Sequence, residues 1–453
     1  MAKNKHEYVC STCAYRTTKW LGKCPNCSMW GTIEEEVEMK NLYIDTNLSK
    51  EVKSIDNIEI EEEFRLKTSF TEFDRVLGGG LTNSEVILIT GEPGIGKSTF
   101  LLKLLAEYSK ENICLYISGE ESQKQIKERA NRINISAKKL NVLSDTRLEY
   151  IIDSIKKVKA KVVVIDSIQT LYSETVNSLP ASVSQIRECA LKLIQLAKEN
   201  EISFFIVGHV TKDGKLAGPK LLEHMVDCVI SFEGNEENTY RIIRSTKNRY
   251  GSTNEISIFV IHDQGIEEVK NPSLFFISER DEKNVGSIIV PSIEGSRVVL
   301  FEIQTLINKA IYGYPKRIIQ GLDKNRLEIL LAILSKHMKL DFNLNDVYVN
   351  VPGGIEIKER ASDLAIILSL ISSVKSIEIS AKIAVLGELG LRGEVRAVSF
   401  LRKRLKELEK LGFTGVYLPK VQKDEVEKEK FKIKLSFIAV SYTHLTLPTI
   451  LLV

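Results

Sequence analysis

Apolar runs alternate with charged segments through the middle of the chain, and this pattern predicts a parallel sheet flanked by helices. Each run is short, whereas charged residues recur at helical spacing between runs, as in 122–133. Parallel strands that are covered on both faces have continuous apolar sequences of this kind. The predicted strands are 86–89, 113–118, 161–166 and 202–207. The sequence therefore predicts an α/β core in which strands and helices alternate.

Length and composition indicate a globular protein of more than one domain. The 453 residues exceed what one ordinary hydrophobic core accommodates, and 43% are hydrophobic while 27% are charged. The net charge of +3 is close to balance and gives no indication for or against nucleic acid. The N-terminus lacks the apolar core of a signal peptide, and no apolar run approaches the roughly 18 residues that span a bilayer. We expect a cytoplasmic protein without a membrane partner.

Residues 91–99 carry the strongest chemical signal. They fit the phosphate-binding loop G-x-x-x-x-G-K-[ST], between a predicted strand and the apolar start of a helix. Glycines let backbone N–H groups approach a polyphosphate, Lys97 reaches the outer phosphates, and the Ser98 hydroxyl can bind Mg²⁺. The sequence therefore predicts binding of a nucleoside triphosphate. The predicted contact residues are Gly91, Glu92, Pro93, Gly94, Ile95, Gly96, Lys97, Ser98 and Thr99.

Polar residues follow the predicted strands, where ligands gather in sheets of this type. Asp166 ends the third strand at the position that holds Mg²⁺ in phosphate-loop enzymes. Glu120 is our first choice for the carboxylate that activates the attacking water, and Glu121 is the second. A solvated charge at a helix N-terminus is the alternative for one of this pair. His209 is interpreted as a sensor of the γ-phosphate, with an ordinary loop histidine as the alternative.

Two C-x-x-C pairs stand ten residues apart near the N-terminus. Four thiolates at this spacing can bind Zn²⁺ tetrahedrally. A redox pair or two disulfides are the alternatives, but a redox pair needs one such motif and cytosolic disulfides are rare. The predicted zinc ligands are Cys10, Cys13, Cys24 and Cys27.

Basic and aromatic residues accompany the cysteines, namely Lys19, Trp20, Lys23 and Trp30. They are interpreted either as a face for DNA or the ATPase domain, or as tryptophans that pack the core of the small module. The sequence leaves both interpretations open.

The phosphate loop, the strand ends at Glu120 and Asp166, and the segment 73–81 that leads into the first strand resemble the RecA and DnaB branch of ATPases. Residues 247–251 read Lys-Asn-Arg-Tyr-Gly and resemble K-N-R-F-G, the signature of the RadA (Sms) family of bacterial DNA repair proteins, with Tyr for Phe. Residues 209–214, 217–219 and 222–224 match the same family, as does the cysteine module. The resemblance extends from residue 1 to about 440.

The resemblance implies a function in recombinational repair. It implies a DNA-dependent ATPase that hydrolyses ATP with Mg²⁺, forms a hexameric ring and promotes branch migration. Single-stranded and branched DNA and a RecA-type recombinase are the implied partners. It also implies that Lys247 and Arg249 act in ATP-dependent function near a subunit boundary, where a guanidinium can stabilise phosphate charge.

DNA contacts are predicted in two segments that RecA-like folds direct inward. These are 172–187, with Arg187, and 211–220; the lysines of the second are Lys212, Lys215 and Lys220. Such residues would bind phosphates without reading sequence. Solvated loop residues are the alternative for each of them.

Residues beyond about 280 resemble the proteolytic domain of Lon, through 352–354, 363–365 and 386–395. A Lon peptidase needs a serine activated by a lysine amine. This chain has Ala361 at the serine position, with Ser362 one residue away, and Arg402 at the lysine position. Arginine does not lose its proton and cannot act as the base. Lys403 is adjacent, but we expect it to face a different side of its helix.

We therefore predict a Lon-like α+β domain without peptidase activity, used for assembly. Its basic residues are interpreted as a DNA face or as a solvated helix; they are Arg392, Arg396, Arg402, Lys403 and Arg404. An ATP-dependent serine-lysine protease of Lon type and a non-motor ATP-switch protein remain the alternative functions.

These motifs divide the chain. We predict a zinc-binding module at 1–33, an acidic linker at 34–65, a RecA-like ATPase domain at 66–272, a Lon-like domain at 280–440, and a non-native tail at 441–453. The tail is singled out because it contains no Asp, Glu, Lys or Arg, directly after a highly charged segment.

Overall fold

The computed structural model describes residues 7–10, 15–26, 28–36, 54, 65–209, 217–234, 240–262, 265–277, 283–310 and 315–440. The chain forms two compact units, which do not follow each other simply along the sequence. The first comprises Met1–Glu233, Ser245–Gly251 and His262–Ile266; the second comprises Gly234–Arg244, Ser252–Ile261 and Glu267–Val453. The proposed tail at 441–453 lies outside the described residues, and the predicted domain limits stay predictions.

A three-stranded antiparallel sheet, in the order β2-β1-β3, forms the N-terminal module. Its strands are β1 (Glu7–Cys10), β2 (Arg16–Thr17) and β3 (Ile33–Glu36). Its core contains Cys10, Cys24 and Ile33, whereas Trp20 and Trp30 are 62% and 74% exposed. The interpretation that the tryptophans pack the core of the module is therefore wrong, because cysteines and a β-branched residue occupy it.

Six parallel strands build the first unit, in the order β11-β6-β10-β9-β7-β8. The elements are β4 (Arg65–Leu66), α1 (Thr71–Val76), β5 (Leu81–Thr82), β6 (Val86–Gly91), α2 (Lys97–Tyr108), β7 (Cys114–Ser118), α3 (Gln123–Arg132), β8 (Leu140–Ser144), α4 (Leu148–Val158), β9 (Val162–Asp166), α5 (Val183–Asn200), β10 (Ser203–His209), α6 (Ala217–Met225) and β11 (Cys228–Glu233). The predicted α/β core is confirmed, and the four predicted strands correspond to β6, β7, β9 and β10.

Local sequence explains where these elements begin. The charged segment predicted as helical is α3, which begins after Ser122; its side chain and that of Gln125 form reciprocal capping bonds. The buried faces of α4, α5 and α6 contribute apolar side chains to one core with the sheet, which includes Leu193 of α5 and Phe204 of β10. No helix within the described parts of the chain is long and apolar enough to cross a membrane.

A seven-stranded mixed sheet organises the second unit, in the order β18-β19-β17-β16-β21-β24-β25. From Tyr240 onward the elements are β12 (Tyr240–Asn248), β13 (Ile256–His262), β14 (Gly265–Glu268), α7 (Pro272–Ile277), β15 (Lys283–Val285), β16 (Ser287–Glu294), β17 (Arg297–Lys309), β18 (Arg317–Gln320), α8 (Lys324–Met338), β19 (Asn345–Asn350), α9 (Asp363–Lys375), β20 (Glu378–Ser380), β21 (Ile383–Val385), β22 (Glu388–Leu389), β23 (Val395–Arg396), α10 (Leu401–Lys410), β24 (Gly415–Pro419), α11 (Lys423–Val426) and β25 (Lys434–Ile438). Ile288 and Val290 pack in one core with α8 and α9, and Ile289 packs in a second core with α10. Both faces of the sheet are therefore buried.

Arg404 on α10 is fully buried, although the sequence suggested an exposed basic residue. Its guanidinium forms a two-pronged ion pair with Glu359 and donates to the backbone oxygens of Pro291 and Ser399. Glu359 also accepts a hydrogen bond from the Ile293 amide at 2.9 Å. The interpretation of Arg404 as part of a DNA face or a solvated helix is therefore wrong, because its guanidinium is bound in the interior of the domain.

Glu85 is a second buried charge, directly before β6. Its carboxylate accepts hydrogen bonds from the amide and hydroxyl of Thr82, both at 3.0 Å. Burial nevertheless raises the pKa of Glu85 from 4.5 to about 7. The folded protein thus binds this proton more tightly than the unfolded chain. This group consequently lowers stability as pH rises from about 4.5 to about 7.

We expect Glu85→Gln to be more stable than the wild type at pH 8 and to lose this advantage near pH 5. The amide removes the cost of a buried negative charge at high pH, whereas near pH 5 the folded wild type is already protonated. Urea unfolding midpoints at the two pH values measure the effect. An equal difference at both pH values would contradict the prediction.

Candidate active site

The phosphate loop joins β6 to α2 through two glycines that the backbone requires. Gly96 is the residue before α2 and has a φ of 107°, in the left-handed region that favours glycine. Gly91 has a φ of 146°, and a Cβ there would lie 2.9 Å from the Cβ of Phe232. The chain therefore turns directly into the helix N-terminus, whose N–H groups and dipole favour a phosphate.

Lys97 is buried at the start of α2. Its ammonium donates to the backbone oxygens of Gly91 and Glu92, both at 2.8 Å. Burial lowers the pKa of Lys97 below its usual value. The negative charges of Asp166 and Glu120 act in the opposite direction and offset part of this shift. The structure thus brings together the loop lysine and the two carboxylates that the sequence placed at separate strand ends.

The structure distinguishes between the two candidate carboxylates after β7. Glu120 accepts a hydrogen bond at 2.8 Å from Ser167, a buried residue next to Asp166. Glu121 instead forms an ion pair with Arg129 on α3. Ser167, which follows Asp166, orients Glu120 but not Glu121. This contact favours Glu120 as the carboxylate near the phosphates.

Tyr116 is a site residue that sequence analysis missed. It is fully buried in β7, and its hydroxyl donates to Asp166 Oδ2 at 2.5 Å. Burial raises the pKa of Tyr116 well above its usual value, so the hydroxyl keeps its proton. Within an apolar strand a tyrosine resembles any core residue, so no sequence signal marked it.

His209 is the last residue of β10, where its backbone pairs with Gly91 of β6. Its position at the strand end agrees with the prediction. The side chain lies outside the described part of the structure, and its role as a phosphate sensor stays a prediction.

Lys247 lies at the end of β12 and contacts the C-terminus of α6. Its ammonium donates to the carbonyl oxygens of Glu223 at 2.6 Å, Val226 at 2.7 Å and His224 at 3.3 Å. These carbonyls lack partners within the helix, and a cation at a helix C-terminus interacts favourably with the helix dipole. In this structure Lys247 therefore caps α6, the helix that follows residues 211–216.

Arg249 is connected to the phosphate-loop strand through Asp227. Its guanidinium donates to Asp227 Oδ1 at 3.0 Å, and Asp227 Oδ2 accepts a bond from the Val86 amide at 3.1 Å. The Arg249 side chain is 55% exposed. It is thus anchored at one end of β6 while part of its surface remains available to a partner.

The segment predicted to carry the first DNA loop is held by α5. Gln185 is buried and its amide group binds the backbone at Ser173, Val176 and Ser178. Arg187 is exposed on the same helix. Lys212, Lys215 and the side chain of Lys220 lie outside the described residues, so the second DNA segment stays a prediction.

The N-terminal cysteines fit a zinc site as far as they are described. Cys10 and Cys24 are buried in one small core. The Cys10 amide donates to the Tyr15 carbonyl, and the Cys24 amide and carbonyl form bonds with Met29 and Ser28, all at 2.9 Å. The backbone thus turns tightly next to Cys10 and next to Cys24. Thiolates are ligands that Zn²⁺ prefers. Cys13 and Cys27 lie outside the described residues.

In the second unit, the Lon-like positions do not form a serine-lysine pair. The Ser362 hydroxyl donates to the Glu359 carbonyl oxygen at 2.7 Å, within its own turn. Ala361 is buried, while Arg402 is exposed and pairs with Glu429 at 3.2 Å. A cavity of about 410 Å³ borders Ser362, but it is lined by charged residues that include the Arg326–Asp363 ion pair.

A phosphate loop after the parallel strand β6, with carboxylates at the ends of β9 and β7 in the same sheet, defines a phosphate-loop ATPase. Comparison with family models agrees. An AAA domain matches residues 56–215, a rubredoxin metal binding domain matches 8–35, and a Lon protease (S16) C-terminal proteolytic domain matches 332–452.

Curated relatives identify the family. The DNA repair protein RadA of Bacillus subtilis is 46% identical over 438 residues, which cover 95% of this chain and 96% of the relative. That of Aquifex aeolicus is 45% identical over 427 residues, covering 94% and 96%. That of Streptococcus pyogenes serotype M1 is 44% identical over 427 residues, covering 93% and 94%. The chain belongs to the RadA family of DNA repair proteins. The resemblance and the predicted fold class are confirmed.

Proposed function

We propose that the protein is a DNA-dependent ATPase that acts as a ring-shaped motor and branch-migrates recombination intermediates. The observation that carries the proposal is the convergence of Lys97, Glu120 and Asp166 beside the phosphate loop. The relatives, which bear the name of a DNA repair protein, support DNA as the object of that ATPase.

The chain offers hard oxygen ligands for Mg²⁺, namely the Ser98 hydroxyl and the Asp166 carboxylate. When bound, Mg²⁺ would neutralise developing phosphate charge. Tyr116 holds Asp166 in place, and Ser167 orients Glu120. Glu120 would then orient the attacking water and accept its proton.

Residues outside the nucleotide site complete the proposal. Arg249 would act on the phosphates of a neighbouring subunit in a hexamer, and the cap by Lys247 would couple α6 and the preceding segment to β12. Zinc would be held by the four N-terminal cysteines. Single-stranded and branched DNA and a RecA-type recombinase are the proposed partners.

The decisive experiment is ATP-dependent extension of a preformed three-strand recombination intermediate. We expect extension by the wild type and its loss in Arg249→Ala, because the exposed guanidinium is removed. Arg147→Ala is the matched control, since Arg147 is also exposed and paired with an aspartate, Asp145. Failure of the wild type to extend the intermediate would contradict the proposal of a DNA motor. Equal loss of extension in both variants would contradict a specific role for Arg249.

Two alternative functions predict different results. A Lon-type protease would degrade casein and lose this activity in Ser362→Ala. The hydrogen bond from Ser362 to the backbone of its own turn disfavours a role for this hydroxyl as a nucleophile. A non-motor ATP switch would show no stimulation of ATP hydrolysis by single-stranded DNA.

A further inference from the structure

Both tryptophans of the sequence lie in the N-terminal module, and both are exposed. Single exposed apolar side chains are common, but adjacent exposed aromatic side chains that form one patch indicate a contact with a partner. The core of the module does not use them, because Cys10, Cys24 and Ile33 fill it. Packing within the module therefore does not account for the two indoles.

The backbone places the two indoles on the same side of the module. Lys23 and Trp30 form an antiparallel bridge, and the Gly31 amide donates to the Gly22 carbonyl at 2.8 Å. A Cβ at Gly22 would lie 3.7 Å from an atom of Trp20 and 3.7 Å from an atom of Trp30. A side chain at this position would thus touch both aromatic rings, which places the two indoles next to each other across Gly22. We call Trp20, Gly22, Lys23 and Trp30 the tryptophan surface.

The charge of this surface is positive. The Lys23 ammonium lies 5.9 Å from the centroid of the Trp30 ring. Lys19 is exposed directly before Trp20. The first 36 residues carry five Lys and Arg residues against four Glu, three of which lie in β3, so the positive charge is local to Lys19 and Lys23. Aromatic faces flanked by cations suit a partner that combines stacked rings with negative charge.

We propose that the tryptophan surface binds single-stranded DNA by stacking its bases on Trp20 and Trp30, with Lys19 and Lys23 near the phosphates. The proposal rests on DNA binding by the protein as proposed above. Bases of every type have a π face, so this mode of binding requires no sequence preference. It adds a DNA site to the zinc-binding module, separate from the loops of the ATPase unit.

Intrinsic tryptophan fluorescence tests the proposal directly, since Trp20 and Trp30 are the two tryptophans of the whole sequence. The zinc-loaded full-length protein is titrated with an oligothymidylate, and binding is followed in parallel by anisotropy of a labelled oligonucleotide. We expect saturable quenching with the same midpoint as the anisotropy change. An abasic oligonucleotide of equal length, which keeps the phosphates, should quench much less.

Variants separate stacking from general electrostatic attraction. Trp30→Ala and Trp20→Ala should each weaken binding about tenfold, whereas Trp30→Phe should retain most of the affinity. Tyr150→Ala is the matched control, because Tyr150 is half-exposed and faces the cation of Arg147 in the ATPase unit. Zinc content, measured for each variant, verifies that the module remains folded.

The outcomes distinguish this proposal from the proposed function. DNA binding by anisotropy without a change in fluorescence, or equal quenching by the abasic oligonucleotide, would overturn the stacking proposal alone. Quenching by a recombinase but not by DNA would overturn it in favour of a protein-docking surface. Absence of any DNA binding would overturn both proposals.

Discussion

Replacing Lys97 with alanine is expected to abolish ATP hydrolysis, with or without DNA. Lys97 is a buried ammonium close to Glu120 and Asp166, and its carbonyl partners at Gly91 and Glu92 hold it within the phosphate loop. Loss of one preorganised donor to transition-state charge typically costs a factor of about 10² to 10³ in rate. Here a full positive charge next to transferred phosphate would be lost as well.

Steady-state phosphate release, with and without single-stranded DNA, measures this effect. Lys110→Ala is the matched control, since Lys110 lies just beyond α2, is exposed and forms a surface ion pair with Glu107. The control should hydrolyse ATP like the wild type. Equal urea midpoints for the two variants would show that the loss is catalytic. DNA-stimulated turnover that persists in Lys97→Ala would mean that hydrolysis occurs at another site.

Features set by neighbouring residues could be predicted from the sequence. The four strands followed from continuous apolar runs, and the loop at 91–99 followed from glycines at positions where the backbone needs a left-handed conformation or close approach. Parallel strands align their carboxyl ends, so the proximity of Asp166 and Glu120 also followed from the order of elements. For the strands and the loop the information lies within a few residues of the feature, and for the carboxylates it lies in the common direction of parallel strands.

Features set by distant residues could not be predicted in the same way. Glu120 and Glu121 are adjacent, and what distinguishes them is a bond to Ser167, just after strand β9, and an ion pair to Arg129 on α3. Tyr116 likewise gains its role through Asp166, fifty residues later. The exposure of the tryptophans depends on which residues fill a very small core, which periodicity does not specify.

Arg404 shows the same limit and leads to the second large prediction. A run of basic residues at 402–404 suggests a solvated helix face, yet Arg404 pairs with Glu359, a residue 45 positions earlier. Arg404→Ala would leave Glu359, whose side chain is 24% exposed, without its main partner and would empty the space of a fully buried side chain. We expect a loss of about 3 kcal/mol in the free energy of unfolding of the second unit, the lower end of the range for a broken buried pair, because Glu359 remains partly exposed to water.

Urea unfolding followed by far-ultraviolet circular dichroism measures this loss, with Arg402→Ala as the control from the same helix. Arg402 is 53% exposed and bonds with Glu429 at the surface, so its removal should change stability by less than about 0.5 kcal/mol.

A double variant, Arg404→Met with Glu359→Leu, removes both charges and should recover much of the loss, because paired apolar replacements avoid the uncompensated charge. If Arg404→Ala were no less stable than Arg402→Ala, the ion pair would not hold this interior together. If the double variant were as unstable as the single one, the packing of the arginine side chain, rather than its charge, would be what the domain requires.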